Sequence, residues 1–170
     1  MSSGKNVVHI VVTDANILIN LIHVRHIGIL GRLPGYEFVV PNEVIREVTN
    51  PQQHEILQAT IDSGELRSMA IDDIATLELF VELCSIMGPG EAACLSIAVL
   101  RGWLIASDEK RVFRRESEAR LGPGRIINTA GIFLMAIRAG ILTIEEADEA
   151  RSWLENHRFR LPFKSFSEIL

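Results

Sequence analysis

Short β-branched stretches alternate with helical stretches along most of this chain, and this alternation limits the folds open to it. Residues 7–12 form a β-branched run that ends just before Asp14, and apolar residues then recur at helical spacing over residues 17–30. Further strands are predicted at residues 38–40, 103–106 and 126–127, each followed by a helical stretch. Because parallel strands need crossover connections, the pattern predicts a three-layer α/β/α sandwich with a central parallel sheet.

Caps and chain breaks delimit the predicted helices. Asn42 is placed to cap a short helix, and Gly88-Pro89-Gly90 precedes an almost wholly apolar helix that starts at Glu91. The other predicted helices run from residue 51 to the turn at residues 63–64, and over residues 73–86, 109–120, 129–138 and 143–156, the last opened by a capping box. Residues 1–170 are expected to form one domain, with residues 143–170 as a helical extension of it.

The composition is that of a folded protein without a general nucleic-acid-binding surface. Hydrophobic residues make up 48% of the chain, and the formal net charge of −5 excludes a basic coat, so any nucleic-acid contact must be local. The apolar stretch of residues 126–137 is cut by Arg138, well short of the ~20 residues that a membrane span needs, and no signal peptide is indicated. We therefore expect a soluble, cytoplasmic protein that does not engage a membrane. Cys84 and Cys94 lack metal-site spacing and are expected to be buried free thiols.

Acidic residues follow two of the predicted strands directly. Asp14 and Asp108 are each the first charged residue after a buried strand, and in parallel sheets ligands bind beyond the carboxyl ends of the strands. An aspartate at such a junction is also a good helix cap, and for a single residue that is the better interpretation. Two aspartates at equivalent positions on different strands favour a functional site over two separate helix caps.

Two helices are expected to bring further carboxylates to this edge. Glu91 lies in the first turn of the apolar helix, where an acid also favours the helix dipole, and Glu47 lies one turn after Glu43 on the helix that follows Pro41. Converging carboxylates raise one another's pKa, and a divalent cation relieves that repulsion. Oxygen-only ligands suit Mg²⁺ or Mn²⁺, so we predict a metal site among Asp14, Glu91 and Asp108, with Glu47 near it.

Four segments in this order carry a resemblance to a known family: VVTDANILINL, VPNEVIREV, GPGEAACLSIA and LIASDEKRVFRR. They resemble the four acidic motifs of PIN-domain nucleases, and within that superfamily the chain looks like VapC-type toxins. The similarity extends to the C-terminus through INTAGIFLMAIRAGIL and FRLPFKSFSEIL. The resemblance implies catalytic roles for Asp14, Glu47, Glu91 and Asp108 in a Mg²⁺- or Mn²⁺-dependent endoribonuclease. It also implies an RNA substrate, a small antitoxin as a partner, and a homodimer.

Several polar residues near the acids are candidates for substrate contacts. Asn16 and Ser107 resemble positions that orient water or substrate, although a helix-start asparagine and a turn serine are equally good interpretations. Arg111 and Arg115, one turn apart after Asp108, are expected to contact phosphate, whereas Arg114 is placed to pair with Glu118. Glu109 is not expected to be catalytic, because consecutive helical residues face different ways.

Two other functions compete with a nuclease. A phosphatase or phosphotransfer domain could use Asp14 as its nucleophile, but the segment Asp14-Ala15-Asn16 lacks the second aspartate of a DxD signature. A non-catalytic regulator could bind RNA or protein on the same fold, although the complete set of acids argues against it. Metal-dependent RNA cleavage that EDTA abolishes separates these alternatives.

Overall fold

A parallel sheet with its first strand at the centre determines the arrangement of the molecule. The computed structural model describes residue 4 and residues 6–170, in which the strands are β1 (His9–Thr13), β2 (Tyr36–Pro41), β3 (Arg67–Met69), β4 (Leu104–Ala106) and β5 (Ile126–Ile127). They pair in the order β3-β2-β1-β4-β5, and each of these pairs is parallel.

Eight α-helices flank this sheet in the described part of the chain. They are α1 (Ala15–His23), α2 (Asn42–Glu47), α3 (Pro51–Asp62), α4 (Ile74–Leu83), α5 (Pro89–Arg101), α6 (Val112–Leu121), α7 (Thr129–Arg138) and α8 (Ile144–Asn156). Residues 92–98 of α5 are buried, and the helix packs against β1, β2 and β4, as its apolar sequence predicts. The predicted three-layer α/β/α sandwich with a central parallel sheet is confirmed.

Strand β3 was missing from the sequence-based prediction. Its residues, Arg67–Met69, include no β-branched side chain, and the strand lies at the sheet edge, where it pairs with β2 alone. Because the neighbouring strand imposes the extended backbone here, the residues themselves carry little strand signal.

Several helix boundaries also differ from the prediction, among them the end of the first helix and the start of α5. The first helix ends at His23, Arg25 adopts a φ of +60°, and a short 3₁₀ helix at Ile27–Gly31 replaces the rest of the predicted helix. Helix α5 begins at Pro89 and not at Glu91, because the fixed φ of proline suits the first turn of a helix.

Two expectations about single residues are wrong. Asn42 is the first residue of α2 and not its cap, since Pro41 occupies the cap position and no side chain caps this helix. Cys94 is buried as predicted, but Cys84 is exposed at the end of α4.

The C-terminal segment packs onto the same hydrophobic core as the sheet. The predicted capping box at the start of α8 is confirmed: the Thr143 hydroxyl accepts from the Glu146 amide, and the Glu146 carboxylate accepts from the Thr143 amide. Phe166, in a short 3₁₀ helix at Phe166–Glu168, is fully buried against Phe133 of α7. Among the helices of the described residues, none has the length and apolar character needed to cross a membrane.

Candidate active site

The register of the sheet brings the ends of β1 and β4 to the same level. Thr13 lies opposite Ala106, and the Asp14 amide donates to the Ala106 carbonyl oxygen at 2.9 Å. Asp14 and Ser107 therefore emerge side by side at the carboxyl edge of the sheet, with Asp108 one residue further on. The two aspartates predicted at a strand end do lie at adjacent strand ends.

Asp14 is held by protein donors on both carboxylate oxygens. Its Oδ1 accepts from the Ala15 amide at 2.8 Å, so it caps α1, and its Oδ2 accepts from the Ser107 hydroxyl at 3.1 Å. The residue is only 2% exposed. Burial raises the pKa of Asp14 to about 6, an effect to which the charges of Glu109 and Glu47 add, while the two hydrogen bonds oppose it. Asp14 is thus a helix cap and a member of the acid cluster at once.

Asp108 is oriented by two residues that the sequence analysis did not identify. Its Oδ1 accepts from the Thr129 amide at 2.8 Å, and its Oδ2 accepts from the Thr129 hydroxyl and from Asn20 Nδ2. Burial raises the pKa of Asp108 despite these donors. Asn20 lies four residues after Asn16 on an otherwise mostly apolar helix, and this spacing of two amides was the signal available in the sequence.

Glu91 and Glu47 approach from α5 and α2. The Glu47 Oε1 accepts from the Gly90 amide at 2.8 Å, and a Cβ at Gly90 would lie 2.5–2.6 Å from the Glu47 carboxylate, so a side chain there would displace that carboxylate. Burial and, after it, the charges of Glu109, Asp14 and Glu47 together raise the pKa of Glu91 to about 7. These mutual effects place the acids within electrostatic reach of one another.

Glu109 lies beside this acid cluster; that it is not catalytic stays a prediction, but the argument from consecutive helical positions does not apply to it. The expectation assumed a helix from residue 109, whereas α6 begins at Val112 and residues 107–110 are not helical. The Glu109 Oε1 accepts from Asn16 Nδ2 at 2.9 Å, and its charge raises the pKa of Asp14, Glu91 and Asp108. Glu43, by contrast, lies 3.8 Å from Arg46 in a weak ion pair.

Asn16 and Ser107 hold the loop that carries Asp108 and Glu109. Asn16 Oδ1 accepts from the Asp108 amide at 3.2 Å, and the Ser107 hydroxyl accepts from the Glu109 amide at 3.1 Å while it donates to Asp14. The contacts of both side chains in this structure are with the acid cluster itself.

The acids supply the oxygen donors that Mg²⁺ and Mn²⁺ prefer, and the raised pKa values show that the uncompensated cluster resists full ionisation. A cation among them would relieve that resistance, so the donor chemistry fits the predicted metal. Among the residues that the structure describes, however, no three carboxylate, imidazole or thiol groups are arranged to hold a metal ion. The carboxylates of the acid cluster would have to move closer together to bind a cation.

The two arginines predicted to contact phosphate lie one turn apart, as expected, because the Arg115 amide donates to the Arg111 carbonyl oxygen at 2.9 Å; their contact with phosphate stays a prediction. Arg111 precedes α6 with a φ of +59°, and Arg115 lies in the first turn with its side chain 71% exposed and 3.6 Å from Glu116. Arg114 pairs with Glu118 at 3.0 Å, as predicted. The basic segment of residues 110–115 is thus only partly helical.

Comparison with known proteins agrees with this architecture. A family model described as a PIN domain matches residues 10–170, which is nearly the whole chain. No curated protein and no solved structure matches the chain significantly. Proteins with PIN domains are in general nucleases that use divalent metals. With the parallel sheet, the acids at its carboxyl edge and this match over the length of the fold, the chain belongs to the PIN-domain family.

Proposed function

We propose that this protein is a metal-dependent endoribonuclease that hydrolyses RNA phosphodiester bonds. The observation that carries the proposal is that Asp14, Glu91 and Asp108, each with a raised pKa, lie at one edge of the sheet. Structural ion pairs do not explain these residues, because no salt bridge involves them in the described part of the chain.

Asp14, Glu91 and Asp108 are the residues that would hold Mg²⁺ or Mn²⁺, with Glu47 beside them. A bound cation would supply Lewis-acid stabilisation of the charge that develops on a phosphodiester during hydrolysis. The chain's own contribution is to orient the donors. Ser107 fixes one oxygen of Asp14. Thr129 and Asn20 fix the carboxylate of Asp108.

The acids differ in how firmly they are held. Asp14 and Asp108 accept several hydrogen bonds from protein groups, whereas Glu91 makes none among the described residues. Glu91 has a pKa of about 7 and only partial burial, so it can take up or release a proton near neutral pH in the metal-free protein. Of the three acids, Glu91 is therefore the one whose side chain and protonation state can change most easily when a metal binds.

The same geometry disfavours the phosphotransfer alternative. A nucleophilic aspartate must present an ionised oxygen to an incoming phosphoryl group. Both oxygens of Asp14 accept hydrogen bonds, its side chain is 2% exposed, and its pKa is raised to about 6.

Cleavage of a labelled single-stranded RNA by the purified protein tests the proposal. We expect cleavage with added Mn²⁺ or Mg²⁺, complete loss in EDTA, and recovery when the metal is restored in excess; a DNA of the same sequence is the comparison substrate. RNA binding without cleavage at any metal concentration would favour a non-catalytic regulator. Cleavage that is unaffected by EDTA would exclude the metal.

A toxin role, with a small antitoxin as partner, and a homodimeric state follow from the resemblance to VapC-type proteins alone. We keep them as proposals. Induced expression that arrests growth, relieved by co-expression of a neighbouring small open reading frame, would support a toxin–antitoxin pair. Normal growth under induced expression would count against it.

A further inference from the structure

A cleft of about 330 Å³ opens next to the acid cluster, on the side of β5. Residues 107–109 form its inner end, so the cleft and the cluster share Ser107, Asp108 and Glu109. Its volume lies at the lower end of the range common for small-ligand sites, about 300–1,000 Å³. None of the predicted substrate contacts except Ser107 lines it.

A chain segment that is fixed at both ends lines one side of the cleft. Residues 159–162 lie along this side, after α8. At one end, the Phe159 amide donates to the Leu154 carbonyl oxygen at 2.9 Å. At the other, Asp148 accepts from the Ser165 hydroxyl and from the amide of the fully buried Phe166. The wall is therefore part of the folded domain.

Four cationic side chains line the cleft together with the acids Asp108, Glu109 and Glu118, although the chain as a whole carries a net charge of −5. Arg114 is paired with Glu118, and Arg125 donates to the Gly102 carbonyl oxygen at 2.6 Å. Lys110 and Arg160 are exposed, and neither makes a side-chain hydrogen bond or ion pair among the described residues. These two cations are free to meet an anionic ligand.

An aromatic ring lies in the same wall as these cations. Phe159 is half-buried and lines the cleft one residue before Arg160. Single-stranded nucleic acids are held by this combination, in which cations follow the backbone and an aromatic face stacks on a base. An acidic peptide would also meet the cations, but it would gain nothing from the ring.

We propose that this cleft seats the nucleotides of a single-stranded RNA that flank the bond to be cut. Lys110 and Arg160 contact the backbone, and Phe159 stacks on a base. The inference rests on the proposed ribonuclease function, because the cleft adjoins Asp108 and a strand with its phosphate at the acids would continue into it.

RNA binding by a cleavage-deficient protein tests this inference separately from catalysis. The probe is a fluorescein-labelled single-stranded RNA of about 10 nucleotides, within the site sizes common for single-strand binders. Its anisotropy is titrated with the Asp14→Asn protein, and a gel verifies that the RNA stays intact. Lys110→Ala, Arg160→Ala and Phe159→Ala are introduced into this background. Arg32→Ala is the matched control, because Arg32 is exposed and precedes β2, at the amino end of that strand and not at the carboxyl edge of the sheet.

We expect Lys110→Ala and Arg160→Ala each to weaken binding roughly two- to fivefold, as for a solvent-exposed ion pair. The slope of log K against log salt should fall by about 0.7 for each phosphate that the variant no longer neutralises. Phe159→Ala should weaken binding about fivefold or more. Since Phe159 also packs on the core, Phe159→Leu keeps the apolar bulk, and it should weaken binding with unchanged melting temperature.

Suppose that the parent protein cleaves RNA in an EDTA-sensitive way but that the variants at Lys110, Arg160 and Phe159 keep its affinity and salt slope. This result would overturn the cleft assignment and leave the ribonuclease proposal standing. Absence of RNA binding together with absence of cleavage would overturn both. Tight binding of a polyglutamate peptide that depends on Lys110 and Arg160, without RNA binding, would assign the cleft to an acidic protein partner.

Discussion

The acid cluster and the cationic cleft beside it lie at the same edge of the sheet but are built in opposite ways. Asp14 is 2% exposed and Asp108 is half-buried, and both accept hydrogen bonds from fixed donors. Lys110 and Arg160 are exposed and without such partners among the described residues. The acids sit where strands end, whereas the cations sit on a loop and on a C-terminal segment.

The difference reflects what each region must do. A site that places a reacting group needs donors and acceptors fixed to a fraction of an ångström, and burial with hydrogen bonds supplies that at a cost in electrostatic energy. A surface that seats a flexible polyanion needs charge within reach and tolerates adaptable side chains. Variants on the two sides should therefore fail differently: in turnover on the acid side, and in binding on the cationic side.

The largest effect is expected for Asp14→Asn, which removes one charge from the cluster and keeps a side chain able to cap α1. Cleavage should fall by roughly 1,000-fold or more, as for the loss of one member of a cooperating catalytic set. Single-turnover rates at saturating RNA measure this. Asp62→Asn is the control, because Asp62 is an exposed acid of α3 that accepts only from Gln58. Retained activity in Asp14→Asn would remove Asp14 from the mechanism.

The next largest effect is expected on the stability of the metal-free protein, because ionised acids in the cluster should lower the free energy of unfolding. The folded pKa of Asp14, about 6, lies above its ordinary value of 3.8, so the folded state holds the proton more tightly. Protonated Asp14 therefore stabilises the folded state fully below pH 4. This contribution to the free energy of unfolding, up to about 3 kcal/mol, is lost as pH rises through about 6. Glu91 acts in the same direction up to about pH 7.

Urea unfolding in EDTA, at pH values between 4 and 8, measures this loss. Asp14→Asn should match the parent near pH 4 and exceed it increasingly toward pH 7, because the substitution removes the buried charge. Taking the difference between the two proteins cancels other titrating acids such as Asp73, whose pKa is lowered by its hydrogen bonds to Thr76. A difference that stays constant with pH would contradict the assignment of a raised pKa to Asp14.

A smaller loss of activity is expected when a residue that orients one of the acids is replaced. Thr129→Val keeps the shape of a fully buried residue but deletes the hydroxyl that donates to Asp108. Loss of such an orienting partner typically costs about 10–100-fold in metal affinity or activity. Activity should recover at high Mn²⁺ if the loss is in metal affinity, and Thr129→Ser, which retains the hydroxyl, should behave like the parent. Equal losses in the serine and valine variants would point to packing instead.

The smallest effect is expected for Arg111 and Arg115, which are close to the acids in sequence but do not line the cleft. Replacing both with alanine should raise KM about twofold and leave turnover unchanged, because exposed charge pairs contribute little. Steady-state kinetics at several salt concentrations, beside the Lys110 and Arg160 variants, provide the measurement. A rise in KM larger than theirs would place the RNA on the outer face of α6.

The acids were predictable from the sequence because local patterns place them. Asp14 and Asp108 follow β-branched or apolar strands, and in a parallel sheet neighbouring strand ends meet at one edge. Glu91 follows a glycine-proline-glycine break at the start of an apolar helix. Their prediction needed only strand and helix periodicity together with the rule for crossovers.

The supporting residues were not predictable in the same way. Thr129 lies 21 residues from Asp108, and Asn20 lies 88 residues from it, and no local pattern links these positions. The position of Glu109 beside the cluster was not predictable either, because the sequence pattern extended α6 backward over a loop. The conformation of this loop depends on a distant residue, Asn16, which donates to the Glu109 carboxylate and accepts from the Asp108 amide.

What the sequence by itself determined about this protein is the alternation of strands and helices, and with it the edge at which Asp14, Glu91 and Asp108 gather. Hydrophobic periodicity and chain breaks act over a few residues, so they can be recognised without a structure. Only the tertiary structure decided which donors hold each acid, that Glu109 joins the cluster, and that residues 159–162 line the cationic cleft beside it. Those features depend on contacts between segments far apart in the chain, where burial and hydrogen bonding outweigh local preference.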